Sequence, residues 1–153
     1  MRKERRRVRV LVVLGVLAVM TAAAYLFMAP GMREAMNLRM TNIDFTRLRD
    51  GTWIGEYKGT RDSLRNCKVE VTVLGGRVSS VRVLESPLAK AGGEKVKIRD
   101  IYTIDDLFGR VIQGQTLQVD IISGATITSK THLKAVEMAL ESALKHQAGL
   151  AAH

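Results

Sequence analysis

The feature that most constrains this chain is an uncharged, apolar run that extends from Val10 to Ala29. Its twenty residues match the length of about 20 that a helix needs to cross the hydrocarbon core of a bilayer. The nine residues before it carry six cations and one anion, and such basic clusters stay on the cytoplasmic side. The sequence therefore predicts a single-pass anchor in the cell membrane, with a cytoplasmic N-terminus and an extracytoplasmic C-terminal domain after Pro30.

A cleaved signal peptide is the alternative interpretation of this segment, because it also has a basic start, an apolar core and small residues, here Ala22 to Ala24. The apolar run continues from Tyr25 through Met28 beyond that cleavage site, which favours a retained anchor. Both interpretations place the remaining chain outside the cytoplasm. The predicted organisation is a basic cytoplasmic tail (1–9), a transmembrane anchor (10–29), a juxtamembrane stalk or short amphipathic helix (30–43), a folded domain (44–146) and a flexible tail (147–153).

The distribution of charge argues against nucleic acid as a partner. Lys and Arg number 24 against 15 Asp and Glu, a net charge of +9. The first nine residues contribute +5 of this, so the other 144 residues are only mildly basic at +4. The chain also shows no zinc-finger or RNA-recognition spacing. We therefore expect membrane lipid, and no nucleic acid, among its partners.

Cysteine and histidine give no sign of a metal site. The single cysteine, Cys67, cannot form an internal disulfide or supply a Cys pair to zinc. It lies in an alternating strand pattern, which predicts a small buried hydrophobic residue and not a reactive thiol. His132 and His146 have no carboxylate or thiol beside them at ligand spacing, and we expect both on a solvent-facing side of a helix.

Alternating residues predict an antiparallel sheet at the start of the folded domain. A first strand is expected over 52–57, and residues 68–73 alternate polar and apolar with period two. A third strand pattern, 77–84, follows Gly75 and Gly76. Two glycines between two strands are typical of a hairpin with a primed turn, because glycine adopts positive φ without steric cost.

Helical periodicity dominates the second half of the domain. A stripe of apolar residues from Ile101 to Ile112 predicts one amphipathic helix, and a second is predicted from Ile127 to near His146. Residues 116–122 are interpreted as a short strand between them. This order favours the α+β class, a curved antiparallel sheet with packed helices, preceded by one N-terminal transmembrane helix.

The junction that precedes the last helix is the chemically informative stretch. Small residues, including Gly124 and Ala125, lie where the helix is expected to begin. The first N–H groups of a helix have no intrahelical partner, and the helix dipole makes this end partly positive, so it can bind phosphate. Thr126 would place a hydroxyl beside such an anion. Simple capping of the helix by Ser123 or Thr126 is the alternative.

The same stretch resembles a known sequence motif. Asp120-x-x-Ser-Gly-Ala-Thr126-x-Thr-Ser129 is similar to the flavinylation motif of the FMN-binding domain family, found in the C subunit of the sodium-translocating NADH:quinone oxidoreductase and in the G subunit of the Rnf complex. The strand Asp50–Tyr57, the two-glycine hairpin and Glu85-Ser86-Pro87 also resemble family features, although Ser86 stands where the family usually has Thr. The resemblance covers about residues 43–146.

This resemblance implies a covalent cofactor. A separate flavin transferase would esterify the phosphate of FMN with Oγ of Thr126, and it would recognise Asp120, Ser123, Gly124 and Ala125. Thr128 and Ser129 complete the motif and are further candidate cofactor-binding residues. Candidate contacts of the flavin ring are Trp53, Tyr57 and the loop that contains Glu85, Ser86, Pro87 and Leu88. For Trp53, packing in the core is an equally open interpretation.

The function implied is electron relay by a membrane-anchored extracytoplasmic flavoprotein in a membrane-associated or extracellular electron-transfer chain. Its partners would be electron donor and acceptor proteins or a quinone-linked membrane complex, and the chain is expected to be a redox subunit and not a stand-alone enzyme. Two alternatives remain open: a non-redox tethered module that binds a protein, and a reductase that binds FMN without a covalent link.

Overall fold

The computed structural model describes residues 2–61, 63–87, 97–99 and 102–150. Three helices and two antiparallel sheets are built from these residues, which confirms the α+β class. Their bounds in chain order are α1 Arg2–Met36, β1 Gly51–Tyr57, β2 Cys67–Leu74, β3 Arg77–Glu85, β4 Lys97–Arg99, β5 Tyr102–Thr103, α2 Ile104–Gly114 and α3 Thr126–Leu150, with a single 3₁₀ turn at Phe45–Arg47.

Helix α1 contains the apolar run and is long and apolar enough to cross a membrane. Its side chains from Val10 to Met28 are exposed, because the folded domain does not pack against them. The helix does not stop at Pro30 but continues to Met36, so the first half of the expected stalk is helical. The last turns of α1 contact the domain through α3 and through hydrogen bonds between Glu34 and Thr60, in the loop after β1.

The three-stranded sheet has the order β1-β2-β3 and is antiparallel throughout, as predicted. Gly75 and Gly76 both adopt left-handed backbone angles, with φ of 61° and 71°, which confirms the primed turn. The carboxylate of Asp50 accepts the N–H groups of Gly75 and Gly76 at 2.8 and 2.7 Å. These two hydrogen bonds lower the pKa of Asp50 below its usual value.

Helix α3 crosses the sheet over β1, and one glycine makes this contact possible. A Cβ atom on Gly55 would lie 1.9 Å from the carbonyl oxygen of Ala135 and 2.5 Å from the nitrogen of Ala139. At the other end of the contact, Sγ of Cys67 donates to the carbonyl of Thr131 at 3.3 Å. Cys67 is 2% exposed, as predicted, and burial raises the pKa of its thiol to about 12.

These contacts fix the direction of α3 over the sheet. Cys67 pairs with Tyr57 at the last position of β1, and it meets Thr131, near the start of α3. Gly55, two residues earlier in β1, meets the helix one to two turns later. Helix α3 therefore runs antiparallel to β1, and its N-terminus lies beyond the Tyr57 end of the sheet.

The predicted strand over 116–122 is wrong. Helix α2 ends where Gln115 adopts φ of 46°, and the chain then runs to α3 without a strand. The amide side chain of Gln115 donates to the carbonyl of Val78 and accepts its N–H, both at 2.9 Å. This side chain therefore makes the bonds to β3 that a neighbouring strand would make, while Leu117 and Ile122 are buried in the core.

The helices of the second half differ from the predicted bounds at their ends. Helix α2 begins at Ile104, where Thr103 and Asp106 form a capping box; the predicted start, Ile101, lies outside the described residues. Helix α3 continues past His146 to Leu150, into the expected flexible tail, and residues 151–153 lie outside the described residues.

The expectation of a solvent-facing His132 is wrong, since this residue is 2% exposed. His132 belongs to the buried stripe of α3, which includes Ser129, Leu133, Val136 and Leu140. The spacing of three and four residues that predicts the stripe also contains position 132, so the pattern could have placed this histidine in the core.

Candidate functional site

A tight turn leads the chain from Ile122 into α3. Gly124 adopts φ of 77°, a left-handed conformation that favours glycine. The N–H of Ala125 donates to the carbonyl of Ile122 at 3.0 Å, and the N–H of Ser129 donates to the carbonyl of Ala125 at 2.9 Å. Ala125 is thus the last residue before the helix, and Thr126 is the first residue inside it.

The geometry of the turn shows which residue holds the cap position directly before α3. The residue that directly precedes the helix is Ala125, whose methyl group offers no oxygen to the helix N–H groups. Thr126 is already helical, so it does not occupy the cap position. The N–H groups of Thr126, Ile127 and Thr128 have no acceptor within α3, because they belong to its first turn. Together with the helix dipole they form a partly positive surface that suits an anion.

A recess of about 240 Å³ lies at this surface and is lined by Met36 and residues 124–128. Its volume is below the roughly 300–1,000 Å³ of pockets that enclose a small-molecule ligand. The recess can therefore take the phosphate end of a ligand such as FMN, while a flavin ring would lie outside it. Thr126 is partly exposed here, so its hydroxyl is within reach of an incoming group. The residues present fit a phosphate attached at Thr126.

The last turn of α1 supplies one wall of the recess. Met36 is half-exposed there, and Nζ of Lys130 donates to its carbonyl at 2.5 Å. A lysine that binds the final carbonyls of a helix satisfies groups that have no intrahelical partner and favours the negative end of its dipole. The N-terminus of α3 is therefore fixed next to the C-terminus of α1, a contact that sequence reasoning did not find.

The other residues of the motif lie around the turn. Asp120 exposes its side chain, while its carbonyl accepts a hydrogen bond from Nη1 of Arg110 at 2.5 Å. Thr128 is partly buried, and its carbonyl accepts Nδ1 of His132 at 2.8 Å. Ser129 is fully buried. Ser123 is exposed at the tip of the turn. All of the motif residues thus belong to one contiguous structure at the start of α3.

Two buried polar side chains, Ser129 and His132, lie on the inner side of α3. Ser129 Oγ and His132 Nε2 lack a hydrogen-bond partner within the described part of the chain. The ring of His132 lies 6.4 Å from that of Phe108, centroid to centroid. Burial lowers the pKa of His132, outweighing its hydrogen bond to the carbonyl of Thr128. Burial therefore favours the neutral form of His132.

The candidate ring contacts are divided between the two ends of the sheet. Tyr57 is at the end of β1 that faces the start of α3, but it is 6% exposed and belongs to the core. Glu85 lies at the same end of the sheet, paired with Lys68. It is exposed, and Ser86 and Pro87 follow it. Leu88 lies outside the described residues.

Trp53 is on the opposite side of the Gly55 contact, away from the turn. Its indole nitrogen donates to the carbonyl of Arg49 at 3.0 Å, and the ring packs against the core. The structure does not bring this residue together with Thr126, and it favours the core-packing interpretation.

The fold and the turn define a long apolar helix followed by a small α+β domain that presents a phosphate-compatible helix start. Residues 65–141 match the family model of the FMN-binding domain, about half of the chain, including the turn and most of α3. The chain belongs to the FMN-binding domain family and is a flavin-binding protein. No curated protein and no solved structure showed significant similarity to it.

Proposed function

We propose that this protein carries FMN linked through its phosphate to Oγ of Thr126, and that it relays electrons at the outer face of a membrane. The membership in the FMN-binding domain family supports the cofactor. The observation that carries the attachment site is the open recess at the first turn of α3, with a hydroxyl at its edge and no side-chain oxygen at the position before the helix.

The residues of the turn would hold the phosphate end of the cofactor. The N–H groups of the first turn of α3 stabilise a phosphodiester anion on Thr126, and the small side chains at 124 and 125 leave room for it. When bound, FMN supplies reversible electron transfer, which none of the twenty amino acids provides as readily. The protein supplies tethering and orientation.

Attachment requires a flavin transferase and an activated donor, because direct condensation of free FMN with a hydroxyl releases water and is therefore unfavourable in aqueous solution. In the transfer step, Oγ of Thr126 forms a bond to the flavin-side phosphorus of a flavin phosphoanhydride. The anhydride P–O bond breaks, and the leaving phosphate takes the hydroxyl proton. No electrons are transferred in this step. The exposed Asp120 and Ser123 are the motif side chains that a second protein can reach most directly.

A tether also fits the proposed location. Among the described residues, the side chains of the apolar part of α1 are exposed, as expected for a helix surrounded by lipid, and the basic residues before it would orient the domain outward. FMN that dissociated outside the cell would be lost by dilution, whereas an ester keeps it on the protein. The electron donor and acceptor are proteins or a quinone-linked complex at the same membrane.

The test is expression of the full chain with a flavin transferase, followed by denaturing electrophoresis and in-gel flavin fluorescence. The native chain should give a fluorescent band, Thr126→Ala should give none, and the matched control Thr128→Ala should keep it. If Thr128→Ala abolishes the band and Thr126→Ala does not, the acceptor is wrong. A colourless native protein would support the non-redox module, and colour that disappears on denaturation would support the noncovalent reductase.

A further inference from the structure

An amphipathic cleft lies at the C-terminal end of the apolar stretch of α1. It has a volume of about 560 Å³ and lies between the last turns of α1 and the loop after β1. Tyr25 and Leu26, from the apolar stretch, line one part of it, and Arg33 and Arg61 line the other part. No residue of the flavinylation motif belongs to it. We propose that this cleft binds one anionic phospholipid, with the phosphate between the two arginines and the acyl chains along α1.

The depth of the cleft matches a lipid headgroup. Arg33 lies four residues beyond Ala29, the end of the uncharged run, which is about 6 Å along a helix. The headgroup layer on each side of the hydrocarbon core is about 5–8 Å thick. Arg33 is thus at the level of phospholipid phosphates when the apolar run fills the core, while Tyr25 and Leu26 lie within reach of the acyl chains.

The outer wall of the cleft is held rigidly against α1. Oε1 of Glu34 accepts the N–H of Thr60 at 3.0 Å, and Oε2 accepts its hydroxyl at 2.9 Å. Both oxygens of the only acidic residue that lines the cleft, among the residues that the structure describes, are therefore engaged. The same bonds fix Arg61, the next residue, beside α1. Arg61 is also attracted electrostatically by the carboxylate of Glu34. The guanidinium groups of Arg33 and Arg61 are both exposed, and planar guanidinium recognises phosphate well.

The occupant that these features select is a lipid, because the cleft combines cationic and apolar walls and opens along the membrane helix. A small phosphate would contact only the wall formed by the two arginines. Each basic residue near an anionic lipid contributes about fivefold in affinity, so removal of both arginines should weaken retention about thirtyfold. The inference depends on the membrane placement of α1 proposed above, but not on the flavin.

The experiment reconstitutes the full chain into nanodiscs that contain equal amounts of phosphatidylglycerol and phosphatidylcholine, releases the protein gently and counts retained lipids by native mass spectrometry. The native chain should retain phosphatidylglycerol in preference to phosphatidylcholine. Arg33→Gln with Arg61→Gln should lose this preference, and Arg33→Lys with Arg61→Lys should restore part of it. The matched control is Arg49→Gln with Arg77→Gln, the same charge change at the hairpin end of the sheet, and it should behave as the native chain.

Equal retention of both lipids by the native chain, or equal loss in the two Gln double variants, would overturn the proposal. Displacement of the retained lipid by millimolar inorganic phosphate would also overturn it, since the site would then take a small anion. In-gel flavin fluorescence of the same samples separates the two proposals. A fluorescent chain without lipid preference refutes the lipid site alone. A chain that fails to enter the nanodisc refutes the membrane placement, and with it the lipid site, but leaves the attachment of FMN to Thr126 to the fluorescence test.

Discussion

The two ends of the folded domain differ in what binds their free backbone N–H groups. At the hairpin end, the N–H groups of Gly75 and Gly76 are bound by the carboxylate of Asp50. At the α3 end, the turn with Gly124 leads into a helix whose preceding residue, Ala125, carries no polar side chain. The first end is satisfied internally by an anion of the protein. The second end keeps a partly positive surface beside an open recess, where we propose that the phosphate of FMN acts as the anion.

The comparison teaches that the missing side-chain oxygen is the informative feature of the site. A serine or aspartate directly before α3 would stabilise the helix on its own, and Ala125, which holds that position, has no oxygen to do so. Met36 and Lys130 join the end of α1 to the same place, so the proposed cofactor end of the domain is also the end that lies next to α1.

The largest expected effect comes from the contact that supports both ends. In Gly55→Val, the new side chain meets the backbone of α3 at Ala135 and Ala139, so α3 must move away from the sheet. We expect a loss of about 3 kcal/mol or more in the free energy of unfolding, the upper range for overpacking. Urea denaturation followed by circular dichroism measures it.

The matched control for this variant is Gly109→Ala in α2, where an added Cβ meets nothing within 4 Å. It should leave stability unchanged or raise it by up to about 1 kcal/mol, because alanine is the better helix former. Equal destabilisation by the two substitutions would contradict the packing of α3 on β1.

A smaller effect is expected when the α3 end is made to resemble the hairpin end. Ala125→Ser places a hydroxyl at the position before the helix, where it can accept a hydrogen bond from the first turn. Thermal unfolding of the flavin-free protein should show a gain of about 1 kcal/mol. Flavin attachment, followed by in-gel fluorescence, should fall, because the hydroxyl competes for the same N–H groups.

Ala125→Gly serves as the comparison for this variant, since it opens the recess without adding an oxygen. It should not gain the stability expected of Ala125→Ser. If Ala125→Ser leaves the protein no more stable and as well flavinylated as before, the first turn of α3 is not the anion-binding surface described above.

The smallest effect is the pH dependence of the hairpin end. The hydrogen bonds from Gly76 and Gly75 lower the pKa of Asp50, so the carboxylate stabilises the folded state above its unfolded pKa, about 3.9. This contribution is lost as the pH falls through the lowered folded value. The native chain should therefore be more stable than Asp50→Asn at pH 7, and the difference should shrink in acid. Denaturation midpoints of both proteins across pH 2–7 measure it, and a difference that grows in acid would contradict the assignment.

Local rules were enough to predict the sheet and the turn. Period-two alternation predicted β2 and β3, and the glycine pair predicted the hairpin between them. The change from small residues to an amphipathic stripe predicted the start of α3. These features depend on neighbouring residues in the chain, and the motif around Thr126 is contiguous, so its residues could be named in advance.

Long-range contacts account for what could not be predicted. The apolar residues of 116–122 suggested a strand, but the side chain of Gln115 bonds to β3 in its place. The separation of Trp53 from the turn follows from the register of α3 over β1, which is set by Gly55 against Ala135 and Ala139. No pattern within either segment contains that register.

The most direct test of the central proposal is the intact mass of the protein purified from its own membrane, followed by peptide mapping. We predict a mass equal to that of the chain, or of its processed form, plus FMN less one water, with the added mass on the peptide that contains Thr126. A chain that carries only the mass of its amino acids, from a host whose flavin transferase is active, would contradict covalent attachment.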